Sequence, residues 1–187
     1  VKIFQNAFEA GKSFPAAVIA IGKFDAVHRG HEKVIRAAVK RAKALKTACM
    51  VVTFDPSPEQ HLRLFSYKPV LPLARRIELI GEFGVDAIVL LPFNKTLACL
   101  SPHAFVKNVL ALQLKPVEVC VGEDFCFGKG RAGRLETLQE FGPEFGFLVR
   151  PIPLVKQGGE KISASRIRRH LEKGERAEAE VLLGRRL

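Results

Sequence analysis

The sequence predicts an α/β fold, a parallel sheet of about five strands with helices on both faces. Three observations carry this. Short continuous apolar runs recur at Ala16–Ile21, Ala48–Phe54, Val85–Leu91, Val117–Val121 and Phe147–Ile152. Such runs suit strands buried on both faces of a parallel sheet. Segments with apolar residues at helical spacing separate the runs, and strand–helix alternation argues for crossover connections within one sheet. Glycine, proline and serine fall at the junctions, and there is no internal repeat or low-complexity segment.

In order, the first strand, Ala16–Ile21, runs into the turn Gly22–His31 and then a helix over Gly30–Thr47. Its apolar positions are Val34, Ile35, Ala38, Val39, Ala42 and Leu45, with basic residues mostly between them. The second strand ends in Asp55-Pro56-Ser57-Pro58, a loop signal. Pro72–Phe83 reads as a helix stopped by Gly84. The third strand leads through a loop, Asn94–Leu100, to Ser101-Pro102, a serine cap with proline at the first helical position, and that helix runs to about Leu112. The fourth strand ends at Gly122 and opens the loop Gly122–Gly133. A short helix, Leu135–Glu140, precedes the fifth strand. Gly158-Gly159 marks a turn within Leu154–Ile162. Ser163 caps a basic helix, Ala164–Lys173, which Gly174 closes, and a last helix covers Ala177–Leu183.

A length of 187 residues fits one domain. No apolar run approaches the ~18–20 residues of a membrane span, and Val1–Phe14 lacks a signal-peptide layout. Cys49, Cys99, Cys120 and Cys126 form no C-x-x-C pair. Cys49 and Cys120 lie inside apolar runs and read as small buried hydrophobes, so a reducing, cytoplasmic compartment is expected and a disulfide scaffold is not. The formal charge of +11 admits a nucleic acid, a polyphosphate ligand or simply solvated basic helix faces. Much of the excess lies at helical spacing, as at Lys33, Arg36, Lys40 and Arg41. No RNA-reading motif is present and the chain has one tyrosine and no tryptophan, so neither nucleic acid nor membrane is expected as a partner.

The chemistry concentrates at two helix mouths. Gly22–His31 reads G-K-F-D-A-V-H-R-G-H and joins the end of a strand to the start of a helix. The unpaired N–H groups and positive dipole there favour anions. His28 and His31 sit at that mouth with Gly30 between them. They could serve as phosphate ligands or as helix caps. Ile162–Arg168 reads I-S-A-S-R-I-R and makes a second mouth, where Ser163 and Ser165 offer hydroxyls and Arg166 a cation suited to phosphate oxygens. Together the two could clamp a triphosphate. Other chemistries fail on spacing. Gly128–Gly133 matches G-x-G-x-x-G, but far from the first strand and without the following acidic residue of a dinucleotide site. There is no P-loop, no H-E-x-x-H, no G-x-S-x-G and no third partner that would make His28 and His31 a metal site. Cys126 lies near Lys129 and Arg131 but reads as a loop cysteine.

These motifs resemble a known family. G-K-F-D-A-V-H-R-G-H resembles the H-x-G-H signature of nucleotidyltransferases, in the form seen in bacterial FAD synthetases, whose FMN adenylyltransferase half is usually fused to riboflavin kinase. I-S-A-S-R-I-R is similar to that superfamily's I-S-S-T-R-I-R. Thr53–Pro58 resembles T-F-D-P-H-P, and Val121–Gly133 resembles V-G-x-[DN]-F-x-F-G-x-x-R-x-G. Leu100-Ser101-Pro102 with Phe105-Val106 resembles L-S-P-x-x-F-V. Leu182–Arg185 is similar to the family's linker into the kinase half. The resemblance runs from about Ile19 to the C-terminus.

It implies a Rossmann-like adenylyltransferase spanning 1–187 that joins FMN to the AMP part of ATP, giving FAD and pyrophosphate. Carried over, Gly22, Phe24, Asp25, His28, Gly30, His31, Ser163, Ser165 and Arg166 belong to the ATP side, with His28, His31 and Arg166 catalytic. Asp55, Pro56, Ser57, Asp124, Phe125 and Arg131 belong to the flavin side. Either histidine could be cationic beside a triphosphate, and Mg²⁺ would bind mainly through phosphate oxygens and water. Riboflavin kinase, absent from this chain, would be expected in cis or as a separate protein. The sequence departs from the family at Ala26 for glycine, Ser57 for histidine and Ser165 for threonine. A positive φ at Ala26 would cost ~1 kcal/mol or more. The departures leave open another phosphorylated acceptor, or a nucleotide- or flavin-binding module without activity.

Overall fold

A computed structural model of the chain describes residues 1–62 and 67–187. Its sheet contains β1 (Lys2–Phe4), β2 (Val18–Ile21), β3 (Cys49–Phe54), β4 (Ala87–Leu91), β5 (Glu118–Gly122) and β6 (Leu148–Ile152). All pairings are parallel, in the order β1-β4-β3-β2-β5-β6. The five expected strands are its core. The sixth, β1, corrects the expected number: three residues, two of them exposed, pair with β4 at the sheet edge, too short a run to show a period. A separate hairpin, β7 (Lys156–Gln157) with β8 (Glu160–Lys161), turns at Gly158-Gly159 as expected.

The helices are α1 (Ala7–Ser13), α2 (Arg29–Leu45), the single turn α3 (Pro58–His61), α4 (Leu73–Gly81), the single turn α5 (Lys95–Ala98), α6 (Pro102–Phe105) continuing as a π-helix (Val106–Leu114), α7 (Leu135–Glu144), α8 (Ala164–Glu172) and α9 (Arg176–Leu183). Ser101 caps α6 through Ala104 N–H, as the sequence predicts. Three features escaped the sequence. Asn6 caps α1, accepting from Phe8 N–H at 2.8 Å. Asn94 caps α5 inside the expected loop, accepting from Leu97 N–H. Ser57 caps α3, with Gln60 returning the bond to Ser57 N–H at 2.9 Å. Each is a local side-chain-to-backbone device of one or two turns, without the length that makes a hydrophobic period readable.

The strands alternate their side chains between two cores. Ile19, Ile21, Met50, Val52, Ala87, Val89, Val119 and Val121 face α1, α6 with its π-helix, and α7. Val18, Ala20, Cys49, Val51, Ile88, Leu90 and Cys120 face α2 and α4. This is why the strands read as unbroken apolar runs. Each fully buried large aliphatic side chain contributes ~1.5–3 kcal/mol relative to exposure. A third cluster packs α8 and α9 on the turn after β2, through Ala26, Ile162, Ile167, Ala179, Leu182 and Leu183. Among the described residues no helix is long and apolar enough to cross a membrane.

At the amino end of β5, Glu118 is buried and receives Arg41 from α2, with Nη2 at 2.9 Å, and Arg150 from β6. Burial alone would raise its pKa, but the hydrogen bonds from both arginines outweigh it and the net shift is downward. Removing one member of a buried ion cluster costs ~3–5 kcal/mol, less where the partners reach water as these arginines do. Glu118→Ala is expected to lower the stability measured by urea denaturation by ~2 kcal/mol while leaving the opposite end of the sheet unaffected.

Candidate active site

Strand order reverses at β2, which lies between β3 and β5. The crevice beyond the carboxyl ends of strands at such a point is where open α/β sheets bind ligands. Three expected segments converge there: Gly22–His31 after β2, Asp55–Ser57 after β3, and the loop after β5 that holds Asp124 and Arg131.

The turn after β2 is tightly wound. Phe24 (φ 46°) and Val27 (φ 43°) occupy the left-handed region, a placement that costs a non-glycine residue ~1–2 kcal/mol. Ala26 does not, which corrects the expectation of strain there. It is fully buried, and its methyl packs in the cluster formed by α8 and α9. His28 caps α2: its Nδ1 accepts from His31 N–H at 3.2 Å, which leaves Nε2 as the protonated nitrogen of a neutral ring. The His28 and His31 rings stack with centroids 3.6 Å apart, and Phe24 meets His31 edge-on at 5.2 Å. A Cβ on Gly30 would sit 3.1 Å from His28 Cε1, so this position admits no larger residue without moving the ring. His31 Nδ1 is buried without a partner.

Burial, the largest cause, lowers His28 to a pKa of about 4. Burial likewise holds His31 well below its usual value, and the nearby His28, Lys23 and Arg185 push the same way. Both shifts favour the neutral imidazole; the expected cation is one formed beside a triphosphate, whose charge acts the opposite way.

The second mouth lies beside the first. Ser163 Oγ caps α8, accepting from Arg166 N–H at 3.2 Å, and Ser165 is exposed. Arg166 turns toward the hairpin, where its Nη1 donates to Gln157 O at 2.9 Å and Glu160 O at 3.3 Å. Arg29, the first residue of α2, donates to Gln157 Oε1, so the hairpin joins the two mouths. Asp25 is buried, and it lines a small cavity with Asp55, Ser57 and Arg76. It accepts from Arg168 Nη2 at 2.7 Å and from Val70 N–H at 3.1 Å, and so acts as a strut between the turn and α8.

Where the flavin side is expected, after β3, Asp55, Ser57, Tyr67 and buried Arg76 line a cavity of about 40 Å³. Ser57 is occupied as the α3 cap, and the Asp55–Pro56 peptide is cis. Phe54 and His61 both meet Phe93 edge-on beside β3 and β4. Asp124, Phe125, Arg131, Arg134 and Lys161 line an open cleft of about 280 Å³. Lys161 Nζ pairs with Asp124 at 3.0 Å, and because β2 and β5 are parallel neighbours, the loop that lines this cleft and the histidine turn leave the sheet at the same end. Phe125 stacks on buried Phe127 at 5.6 Å and also faces the cleft. Among the described residues no group of three or more His, Cys, Asp or Glu side chains is arranged to hold a metal ion.

Sequence reasoning did not single out Arg76, Lys161, Arg168 or Arg185 as site residues. Arg168 stood in the I-S-A-S-R-I-R motif two residues beyond Arg166, about 200° around the helix, which sends it to Asp25 and over the Tyr67 ring at 4.8 Å. Arg185 stood in a segment read as linker. Lys161 and Arg76 carried no signal in spacing or composition.

A histidine pair on a helix N-terminus, set at the switch point of an open parallel sheet and faced by a second capped mouth, defines an α/β domain of the nucleotidyltransferase type. Residues 11–166 match the family model described as FAD synthetase, and the chain belongs to that family. A putative bifunctional riboflavin kinase/FMN adenylyltransferase of Geobacillus thermodenitrificans is 35% identical over 93% of this chain and 93% of its own length. The bifunctional riboflavin kinase/FMN adenylyltransferases of Pseudomonas fluorescens and Escherichia coli K12 are 36% and 33% identical over 90% and 89% of this chain, which spans 54% of each. Among solved structures, a Streptococcus pneumoniae protein described as a macrolide-efflux protein superposes with a TM-score of 0.85 at 28% identity, over 99% of this chain and 70% of that one. Pantothenate synthetase from Thermus thermophilus shares the fold, with a TM-score of 0.63 at 19% identity over 98% and 72%.

Two outcomes follow from this geometry. His28 titrates at about 4 when folded and near ~6.5 when unfolded, so the unfolded chain binds more protons between those values. The stabilisation is complete above ~6.5 and declines as pH falls toward 4, by on the order of 3 kcal/mol for this group. Thermal melts are expected to drop between about pH 7 and about pH 5, and His28→Asn, which keeps a capping side chain, to flatten part of that slope. Because Ala26 is packed rather than strained, Ala26→Gly is expected to lose ~1 kcal/mol in denaturant melts instead of gaining stability.

Proposed function

We propose that this chain transfers the AMP part of ATP to the phosphate of FMN, releasing FAD and pyrophosphate. The observation that supports this most is the stacked His28–His31 pair at the α2 N-terminus, beside the cleft holding Asp124 and Lys161. In the reaction a phosphate oxygen of FMN attacks the α-phosphorus of ATP in line with the bond to the bridging oxygen of the departing pyrophosphate. Both reactants are anionic, so the protein's work is to place them and offset charge.

The N–H groups of Arg29 and Gly30 in the first turn of α2 and the protonated Nε2 of His28 are donors available for phosphate oxygens. His31, with a buried nitrogen lacking a partner, supplies a second imidazole that a triphosphate can engage. A polyanion beside these rings favours their protonated forms, opposing the burial that holds them neutral. Ser163, Ser165 and the α8 N-terminus serve the far phosphates. Arg166 joins them by exchanging the hairpin carbonyls for phosphate oxygens. No side-chain nucleophile is needed. Mg²⁺ enters as part of the ATP substrate, held by phosphate oxygens and water.

The planar acceptor ring fits against the aromatic edges of Phe54 and Phe93 or of Phe125, with Asp55, Pro56 and Ser57 on the β3 side. Arg131, Arg134 and Lys161 offer cations to its phosphate. FMN would come from a riboflavin kinase, in cis or as a separate protein. Buried free Cys49 and Cys120, their thiols pushed up to about 12 chiefly by burial, suit the reducing cytoplasm we propose for it.

The test is incubation of the chain with ATP, Mg²⁺ and FMN, with FAD and pyrophosphate followed by chromatography. FAD is expected from FMN; binding of both substrates without FAD would overturn the reading. His31→Ala is expected to lower kcat by ~10²–10³-fold, the loss typical of removing a charge-stabilising donor.

A further inference from the structure

Arg185 lies at the end of the L-L-G-R segment, and the reaction above gives it no task. Its guanidinium is half-buried and forked across two successive carbonyls of the histidine turn. Nη2 donates to Ala26 O at 2.6 Å and Nη1 to Val27 O at 2.6 Å. A rigid support holds it there: Ala179, Leu182 and Leu183 of α9 pack with Ala26 and Ile167 in one cluster. Gly184, in the left-handed region at φ 77°, turns the chain from α9 toward the site. A Cβ at Gly184 would come 2.8 Å from Arg29 Cγ, so the segment passes directly against the first residue of α2.

The carbonyls it grips belong to the peptides that enter and leave Val27. Phe24 and Val27 sit in the left-handed region, a conformation that persists only where its surroundings over-determine it. In a trans peptide the C=O and N–H point opposite ways. Holding Val27 O on Arg185 therefore turns the His28 N–H away from Arg185 and sets the residue whose ring caps α2 and stacks on His31. A planar guanidinium satisfies two acceptors at fixed spacing, which a single ammonium does not.

We propose that Arg185 is a positioning residue for adenylyl transfer: by clamping the Ala26 and Val27 carbonyls it aims the His28–His31 pair, and the segment after α9 is part of the active site. This rests on the function proposed above. Its charge also disfavours protonation of both imidazoles.

The experiment compares Arg185→Lys and Arg185→Ala with the unaltered chain. Arg185→Lys keeps the charge and stem. It is expected to fold, to lose about tenfold in kcat with little change in KM for ATP, and to move the 15N imidazole signals of His28 and His31. Arg185→Ala is expected to lose up to about a hundredfold in kcat and to regain part of it on adding guanidinium at millimolar concentration. Wild-type kcat and unmoved histidine signals in Arg185→Lys would overturn the proposal. So would a lower melting temperature in Arg185→Ala with kcat unchanged. If Arg185→Ala does not fold, Arg185→Lys decides. If the unaltered chain makes no FAD, the activity reading fails, and the histidine signals of Arg185→Lys alone decide the clamp.

Discussion

Ala26 sits where three parts of the molecule meet, and the site depends on how it is packed. On one side is the end of β2, at the switch point of the sheet. On the other are α8 and α9, which bury its methyl among Ile162, Ile167 and Leu182. Two residues beyond it, His28 caps α2. The turn is thus pressed between the sheet and the C-terminal helices, and its two left-handed residues are held by that packing and by hydrogen bonds to its carbonyls. A glycine here would supply freedom that the surroundings do not require. The alanine supplies apolar area, which explains the departure from the family pattern without loss of the turn.

Guanidinium groups fasten the frame around this turn. Arg168 ties α8 to Asp25, Arg185 ties the end of α9 to two carbonyls, Arg166 holds the hairpin, and Arg41 and Arg150 close on Glu118 at the far end of the sheet. Part of the +11 charge is therefore committed to internal contacts rather than to a polyanionic surface. Arg166 stands between the two roles, since the carbonyls it holds in this structure are weaker partners than phosphate oxygens would be. The hairpin touches both helix mouths through Gln157.

Much of this was legible in the chain. The five core strands were visible because each is buried on both faces, and α2 because its apolar positions recur at helical spacing on a basic background. Ser101 and Ser163 announced helix starts by type and position. The caps at Asn6, Ser57 and Asn94 were not separable from loop residues, because a single turn has no period to mark it. Strand β1 was lost for the same reason. Ser57 was placed on the flavin side by resemblance; its role as the α3 cap was not visible in the sequence. Asp25 was placed on the ATP side by resemblance, and what the sequence did not show is its partner, Arg168.

The sequence by itself determined the order of the five core strands and of the longer helices after them, the helix mouths at His28 and Ser163, and the family. These are local quantities: hydrophobic period, capping residue and motif spacing act within a few residues of one another. Only the tertiary structure decided which groups face one another. Arg168 meets Asp25 across 143 positions, Arg185 meets Ala26 across 159, and Lys161 meets Asp124 across 37. It also decided that the pKa values of His28 and His31 are lowered, because desolvation is set by how much water the surrounding chain excludes, and that exclusion is done by residues far away in sequence.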